Sequence, residues 1–530
     1  MKNKFLTLLL LVSLCSSTCF AKKKHSVDDI EHYQSSKTKE VSLRSLLGSL
    51  DPLSISQHLA FYELYPETKE GKLALSRAWE LLNGGQKTPG IEGVTLPAFD
   101  IHAIIALVTR QPFDAPVKLS EQQLLLIDKT AARLNNRKLK GSKVWTKPEV
   151  IALPPEEIDL GRGLLIFQFD AAENPHEEIR QYEASLDLMA LQIAVRLPEN
   201  PSHEDKIREI NRFIFQEMQF RFPPHSIYAK DIDLYTFLPS VLDSRQGVCL
   251  GVSILYLCLS QRLDLPLEII TPPGHIYVRY RDESQIINIE TTARGINPPS
   301  EMYLGINTRS LKERNIKEVI GQAFINQAAV YWGKEEYATS VALYEKALPF
   351  LPEDPLLKML LGFNYLFMGK KREGCRLLEQ IKNVTFDDAV SKENIPEDYL
   401  KGRIDPDGIK AVFLPVDETR ASIIKKQQQL EKILIRYPKF RAGILQLAIT
   451  WLQLGRGNEA LQVLERYHAL DPESCVVEYY LAMICIERFD YNRAWHYLKK
   501  AENITQARNH RPKALFAVRD ALRRLSPEAL

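Results

Sequence analysis

An α+β chain that is mostly helical is what this sequence predicts, with one helix and an antiparallel strand pair near its middle and an all-helical array at its C-terminal end. Three observations carry that expectation. Positions 249–262 form an almost unbroken apolar run of helix length, and 275–290 then alternates around a polar turn. Small residues recur 34 positions apart, at Ser340 and Gly374 and again at Ala460 and Ala494. Most of the remaining chain spaces its apolar residues as one face of a helix requires.

The first 21 residues read as a secretory signal. Lys2 and Lys4 precede the apolar run 5–14, and Cys-Ser-Ser-Thr-Cys-Phe-Ala follows, with cleavage expected after Ala21. Lys22 to Lys24 leave open a retained, uncleaved anchor. No later segment reaches the roughly 20 apolar residues that span a bilayer, so no membrane span is expected in the mature chain. Export is therefore expected, to the periplasm or the medium if the source is bacterial. Residues 25–45 are polar and read as a loose lead-in.

Residues 45–145 form an N-terminal helical region by pattern. ISQHLAFYELY and GKLALSRAWELLNGG are helix-like, the second stopped by Gly84-Gly85. KTPGIEGVTLP is a loop, and IHAIIALVTR and SEQQLLLIDKTAARLNNR are further helices. Ser120 with Gln123 three residues on is a capping-box pattern.

A second domain spans 146–305. LLIFQF, at 164–169, is a candidate buried strand after a Pro-punctuated stretch. EEIRQYEASLDLMALQIAVRL and EDKIREINRFIFQEMQFRF are helices. The following PPHSIYAKDIDLYTFLPSVLDSRQG is expected as a loop beside a cleft, where His225, Tyr228 and Tyr235 serve a surface role.

Chemistry concentrates in 242–295. Gly247 permits a tight turn that places Cys249 in the first turn of the apolar helix. There the unpaired backbone N–H groups and the positive dipole end favour a thiolate and can hold an oxyanion. If the hairpin centres between Asp282 and Glu283, His275 lies opposite Glu290, where Cβ atoms are about 4.5–5.5 Å apart. The carboxylate then accepts the Nδ1–H of the imidazole and leaves Nε2 for the thiol proton. Asn288, two residues back on the same face, is the alternative orienting group.

The run R-Q-G-V-C, an apolar helix ending R-L-D-L-P, then P-G-H and a hairpin ending I-E-T-T resembles the core of the transglutaminase-like superfamily, and is closest to its SirB-type branch. The resemblance implies a papain-like helix-plus-antiparallel-sheet fold and a Cys-His-Asp triad in this chain order. Carried to this sequence, it implies Cys249 as nucleophile, His275 as general base and then acid, and Glu290 as orienter. Glu stands where the family has Asp.

Beyond the Pro/Gly-rich boundary after Gly295, the 34-residue period is that of tetratricopeptide repeats. Units fall near 321–354, 355–388, 441–474 and 475–508, giving repeat segments at 318–388 and 421–510. The interval 389–420 reads as an insertion, either loop or hinge. Such arrays present a concave surface for a protein or peptide partner.

Composition narrows the function. Lys plus Arg total 69 against 67 for Asp plus Glu, a formal charge of +2, which argues against a nucleic-acid binder. Without the signal, five cysteines remain: Cys249, Cys258, Cys375, Cys475 and Cys485. Five is odd, so one thiol stays free unless it pairs between chains. Cys249 and Cys258 sit nine residues apart on one helix, on opposite faces at about 100° per residue. No Cys or His cluster has metal-ligand spacing, so neither a metal nor a cofactor is expected. Two functions fit: an exported thiol-dependent acyl-transfer enzyme acting on protein or peptide, or an idle domain of that fold in a repeat-based adaptor.

Overall fold

A computed structural model describes residues 36–84, 118–223, 232–417 and 419–526. The expected signal at 1–21, the 101–110 helix, the 87–97 loop, His225 and Tyr228 lie outside the described residues. The chain divides into two units, 1–50 and 51–530. In the first, the described helix is α1 (Ser36–Gly48). The second contains everything that follows.

It opens with α2 (Ile55–Leu64) and α3 (Lys69–Leu82). Each is started by a hydroxyl cap: Gln57 N donates to Ser54 Oγ at 3.3 Å and Gly71 N to Thr68 Oγ1 at 3.0 Å. At α4 (Glu121–Ala131) the capping box forms as expected between Ser120 and Gln123. Next come α5 (Lys147–Ala152) and α6 (Leu160–Gln168).

α6 corrects the strand expected at LLIFQF. Arg162 N donates to the Asp159 side chain at 3.2 Å, a helix N-cap. Residues 160–167 are then buried all round, and an apolar run covered on every face has no period to separate helix from strand.

α7 (Pro175–Arg196), α8 (His203–Asn211), α9 (Leu238–Ser244) and α10 (Cys249–Arg262) follow, and α7 and α9 pack on α10. Arg262, in the last turn of α10, donates through Nε to Asp187 of α7 at 2.7 Å, both side chains 1% exposed or less. Arg162 donates from α6 to Glu183 of α7 at 2.6 Å. Each pair crosses between helices; Asp187 is paired with Arg137 as well, and losing Asp187 would leave the buried Arg262 without a carboxylate. α10 is thereby anchored at its far end. The stretch 232–244, expected as loop, holds a 3₁₀ turn at Ile232–Thr236 and α9.

The sheet has four antiparallel strands: β1 (Glu268–Thr271), β2 (Tyr277–Arg281), β3 (Ile286–Ile289) and β4 (Lys312–Arg314), in the order β3-β2-β1-β4. Tyr277 to Tyr280 are all buried, so both faces of β2 are covered.

A chain of paired helices follows. α11 (Ile316–Gly333) packs on α12 (Tyr337–Ala347), and α13 (Pro355–Phe367) on α14 (Lys371–Ile381). Residues 389–420 are not a loop: they hold α15 (Ile395–Leu400) and α16 (Pro406–Phe413), which lead into α17 (Arg420–Arg436). Then α18 (Arg441–Gln453) pairs with α19 (Gly457–Leu470), α20 (Cys475–Glu487) with α21 (Tyr491–Ala507), and α22 (Lys513–Leu525) closes the array.

The small residues of the 34-residue period sit where paired helices cross. Ser340 Oγ donates to Ala328 O of α11 at 3.1 Å. A Cβ on Gly374 would stand 2.4 Å from Leu366 Cδ2 of α13. Among the described residues, no helix is long and apolar enough to cross a membrane.

Candidate active site

The Cys249 turn is built by close approach. Arg245 takes the left-handed conformation (φ 53°) that ends α9, the role sequence alone gave to Gly247. Gly247 is needed for space: a Cβ there would lie 2.6 Å from Val252 Cγ2 and 3.0 Å from Val252 N. Backbone bonds on either side hold the turn, Gly247 N to Arg221 O at 3.0 Å and Val248 N to Tyr235 O at 3.3 Å. α10 then starts at Cys249, as expected. Val248 is its N-cap and supplies no capping side chain, so the first-turn N–H groups keep their capacity to bind an anion.

His275 is delivered by a turn. His275 N donates to Pro272 O at 3.0 Å, and Gly274 stands at φ +70°. Pro at the second and Gly at the third position are what such a turn demands. His275 thus precedes β2 rather than opening it.

The hairpin register differs from the expected one by two residues. Val278 pairs with Ile289 and Arg279 with Asn288, which centres the turn between Glu283 and Ser284. A shift of two keeps every side chain on its face. Glu290 therefore reaches His275 diagonally, and His275 Nε2 donates to Glu290 Oε2 at 2.7 Å. The ring nitrogens exchange their expected roles, leaving Nδ1 for sulfur. Cys249 lies close enough to His275 to help raise the basicity of the ring.

Glu290 is held by more than the histidine. Its Oε1 accepts from Thr292 N at 3.1 Å and Thr292 Oγ1 at 2.6 Å, and its Oε2 also accepts from the Tyr303 hydroxyl. Burial favours the neutral acid, but the bonds from His275, Thr292 and Tyr303 outweigh it and hold the carboxyl down at about 2. For His275, burial disfavours the charged ring. Hydrogen bonds to Cys249 and Glu290, and then their charges, prevail and raise it to about 10. The histidine side chain is 24% exposed and that of Glu290 8%, so the ring is open to solvent while the carboxylate behind it is buried.

Thr291 locks the two halves together. Its hydroxyl lies 3.0 Å from Ser253 Oγ and donates to Cys249 O at 3.4 Å. Asn288, the alternative orienter, serves elsewhere: its Nδ2 donates to Pro298 O at 2.7 Å and Ser300 Oγ at 2.9 Å. It fixes the 3₁₀ turn Ser300–Tyr303.

Tyr303 is the residue that sequence reasoning missed. Its ring stacks on His275 (centroids 5.6 Å apart) and on Tyr277 (4.8 Å). It lies in a Pro/Gly-rich stretch whose composition says nothing about what an aromatic there will cover. Tyr235 contributes its backbone carbonyl to the Cys249 turn.

The thiols differ sharply. All five described cysteines are free, and Cys249 is partly exposed while Cys258 is buried. Burial pushes the Cys258 thiol up to about 12, which makes it inert.

Residues 180–322 match the family model of the transglutaminase-like superfamily. No curated protein sequence matches the chain. Among solved structures, MamA aligns at 12% identity and a TM-score of 0.19, covering 34% of this chain and 96% of its own. YrrB, described as a TPR protein with an unusual peptide-binding site, aligns at 15% identity and a TM-score of 0.20, covering 37% of this chain and 91% of its own.

Proposed function

The chain carries a transglutaminase-like domain joined to tetratricopeptide-like helical pairs, and from that premise we propose an exported, thiol-dependent acyl-transfer enzyme acting on a protein or peptide. The observation that supports it most is the His275–Glu290 hydrogen bond, with Cys249 beside the imidazole at the start of an uncapped helix. The Pro-Gly before His275 favours the SirB-type branch.

The sulfur of Cys249 attacks an amide carbonyl carbon, forming C–S while the carbonyl electrons move to oxygen. First-turn N–H groups of α10 hold that oxyanion. His275 then gives its Nδ1 proton to the amine, the C–N bond breaks, and a thioester remains. Water attacks the thioester, His275 takes its proton, and C–S cleavage returns the thiolate. Glu290 fixes the ring and its charge throughout. Hydrolysis is preferred over transfer to a second amine because water needs no binding site of its own.

The repeats bring the substrate or its carrier. A cavity of about 670 Å³ within them is lined by residues including Asn307, Asn394, Gln446, Tyr467 and Arg508. Its lining mixes amide, hydroxyl and guanidinium groups with the carboxylates of Glu393, Glu397, Asp471 and Glu473, a polar surface that suits a peptide.

A peptide library incubated with the protein in ¹⁸O water and read by mass spectrometry tests the reading. Wild type is expected to cleave, leaving one ¹⁸O on the new carboxylate, and Cys249→Ala to do nothing at unchanged thermal midpoint. Equal action by both proteins, or a Cys249 inert to alkylation, overturns it and leaves the repeat array as the working part. For export, the expected outcome is a mature chain that begins at Lys22 on N-terminal sequencing; a secreted or periplasmic product still starting at Met1 contradicts cleavage.

A further inference from the structure

Tyr303 sits between two anchorages. On one side its hydroxyl donates to Glu290 and its ring covers His275. On the other, residues 304–309 leave the catalytic domain and run along the C-terminal array, mainly against the 387–391 connection between α14 and α15, before returning as β4 beside β1. Nearly every residue of that run is tied there. His510, 5% exposed, donates from Nε2 to Gly305 O at 2.8 Å. The thiol of Cys475 donates to Ile306 O at 3.6 Å. Val390 N donates to Asn307 O at 2.9 Å and Ser391 N to Asn307 Oδ1 at 2.7 Å. Thr308 bridges Ala389, Arg309 N donates to Asp388 O at 2.8 Å, and Arg309 Nε to Asp387 O at 2.8 Å.

We propose that residues 304–309 are a strap by which the C-terminal helices position Tyr303, and through it the His275–Glu290 pair. His510 and Arg309 are then positioning residues for a site in another part of the fold, and this rests on the enzyme reading given above. The reason is mechanical. The 3₁₀ turn that carries Tyr303 is a single turn, too short to hold an aromatic ring by its own hydrogen bonds. Asn288 fixes its start at Ser300, and the strap fixes the chain immediately after its end. Asn307 also lines the cavity assigned to the partner, so a segment bound there lies against the strap.

The test is the rate of iodoacetamide alkylation of Cys249, resolved by peptide mass spectrometry and followed across pH. His275→Ala is the reference for a broken site. Tyr303→Ala is expected to slow the reaction about tenfold at neutral pH, the worth of one charge-assisted hydrogen bond with its packing. His510→Ala is expected to slow it in the same direction, and His510→Gln, which keeps a donor, to restore part of the rate. The double variant Tyr303→Ala/His510→Ala is expected to be no slower than Tyr303→Ala alone, because both act through one element. Should His510→Ala fail to fold, Arg309→Ala removes a different tie and carries the same expectation. Slowing by His275→Ala and Tyr303→Ala with wild-type rates in folded strap variants overturns the strap. A wild-type rate in His275→Ala overturns the enzyme reading instead.

Discussion

At the scale of residues, the arrangement stands on one carboxylate. Glu290 accepts from a histidine, a threonine side chain and backbone, and a tyrosine, and together with Cys249 it raises His275 to about 10 against the pull of burial. Glu290→Gln keeps the shape and removes the charge. It is expected to cost about a hundredfold in kcat/KM, the low end of what positioned acid-base groups supply, and to move the basic limb of the pH profile down from about 10. An unmoved limb would assign that limb to another group. The stability signs are opposite for the two partners. His275 is raised in the folded state, so its contribution is complete below the ordinary value of about 6.5 and fades as pH climbs toward 10. Glu290 is depressed, so its contribution is complete above the usual carboxylate range and fades as pH falls toward 2. Cys249, His275 and Glu290 were legible because each sits at a marked place: a helix start, a Pro-Gly turn, a strand end. The nitrogen assignment was not, since it turns on a two-residue register that polar turn residues leave open. Tyr303 was not legible at all.

At the scale of elements, the site is set by how tightly turns approach helices. A Cβ on Gly251 would stand 2.1 Å from Tyr235 O, a backbone atom that cannot swing aside. Gly251→Ala is therefore expected to destabilise by ~1–3 kcal/mol, the range of overpacked positions, and to lower activity by displacing the first turn of α10. Gly274 differs: at φ +70° a Cβ there meets nothing within 4 Å. Gly274→Ala is expected to cost about 1 kcal/mol through backbone strain alone, visible in a denaturant midpoint. If the two losses are equal, close packing at α10 is not the controlling feature. Helix α6 marks the limit of sequence periodicity: Asp159 caps it, yet the run it caps is apolar all round and reads equally as a strand.

At the scale of the molecule, two hydrophobic cores overlap along α13 and α14, one running from Ile55 to Leu377 and the other from Met359 to Leu522. The repeat period was legible because crossing helices admit only small residues at fixed spacing. Segment 389–420 was not, because its short helices fall outside that period, although Ile395, Ile404, Ile409 and Val412 are buried in the second core. Amide hydrogen exchange is accordingly expected to be as slow in 395–413 as in the flanking repeats, and loop-like exchange there would restore the reading as a loop or hinge. On the strap proposal, the array acts on the site only if the site itself is assembled. The titration of His275, followed by NMR with histidine-selective labelling in wild type and Cys249→Ala, measures that assembly most directly. The account predicts that His275 in the wild type stays protonated to about pH 10 and that its midpoint falls when the thiol is removed. A His275 that titrates near its ordinary value of about 6.5 in both proteins would contradict it.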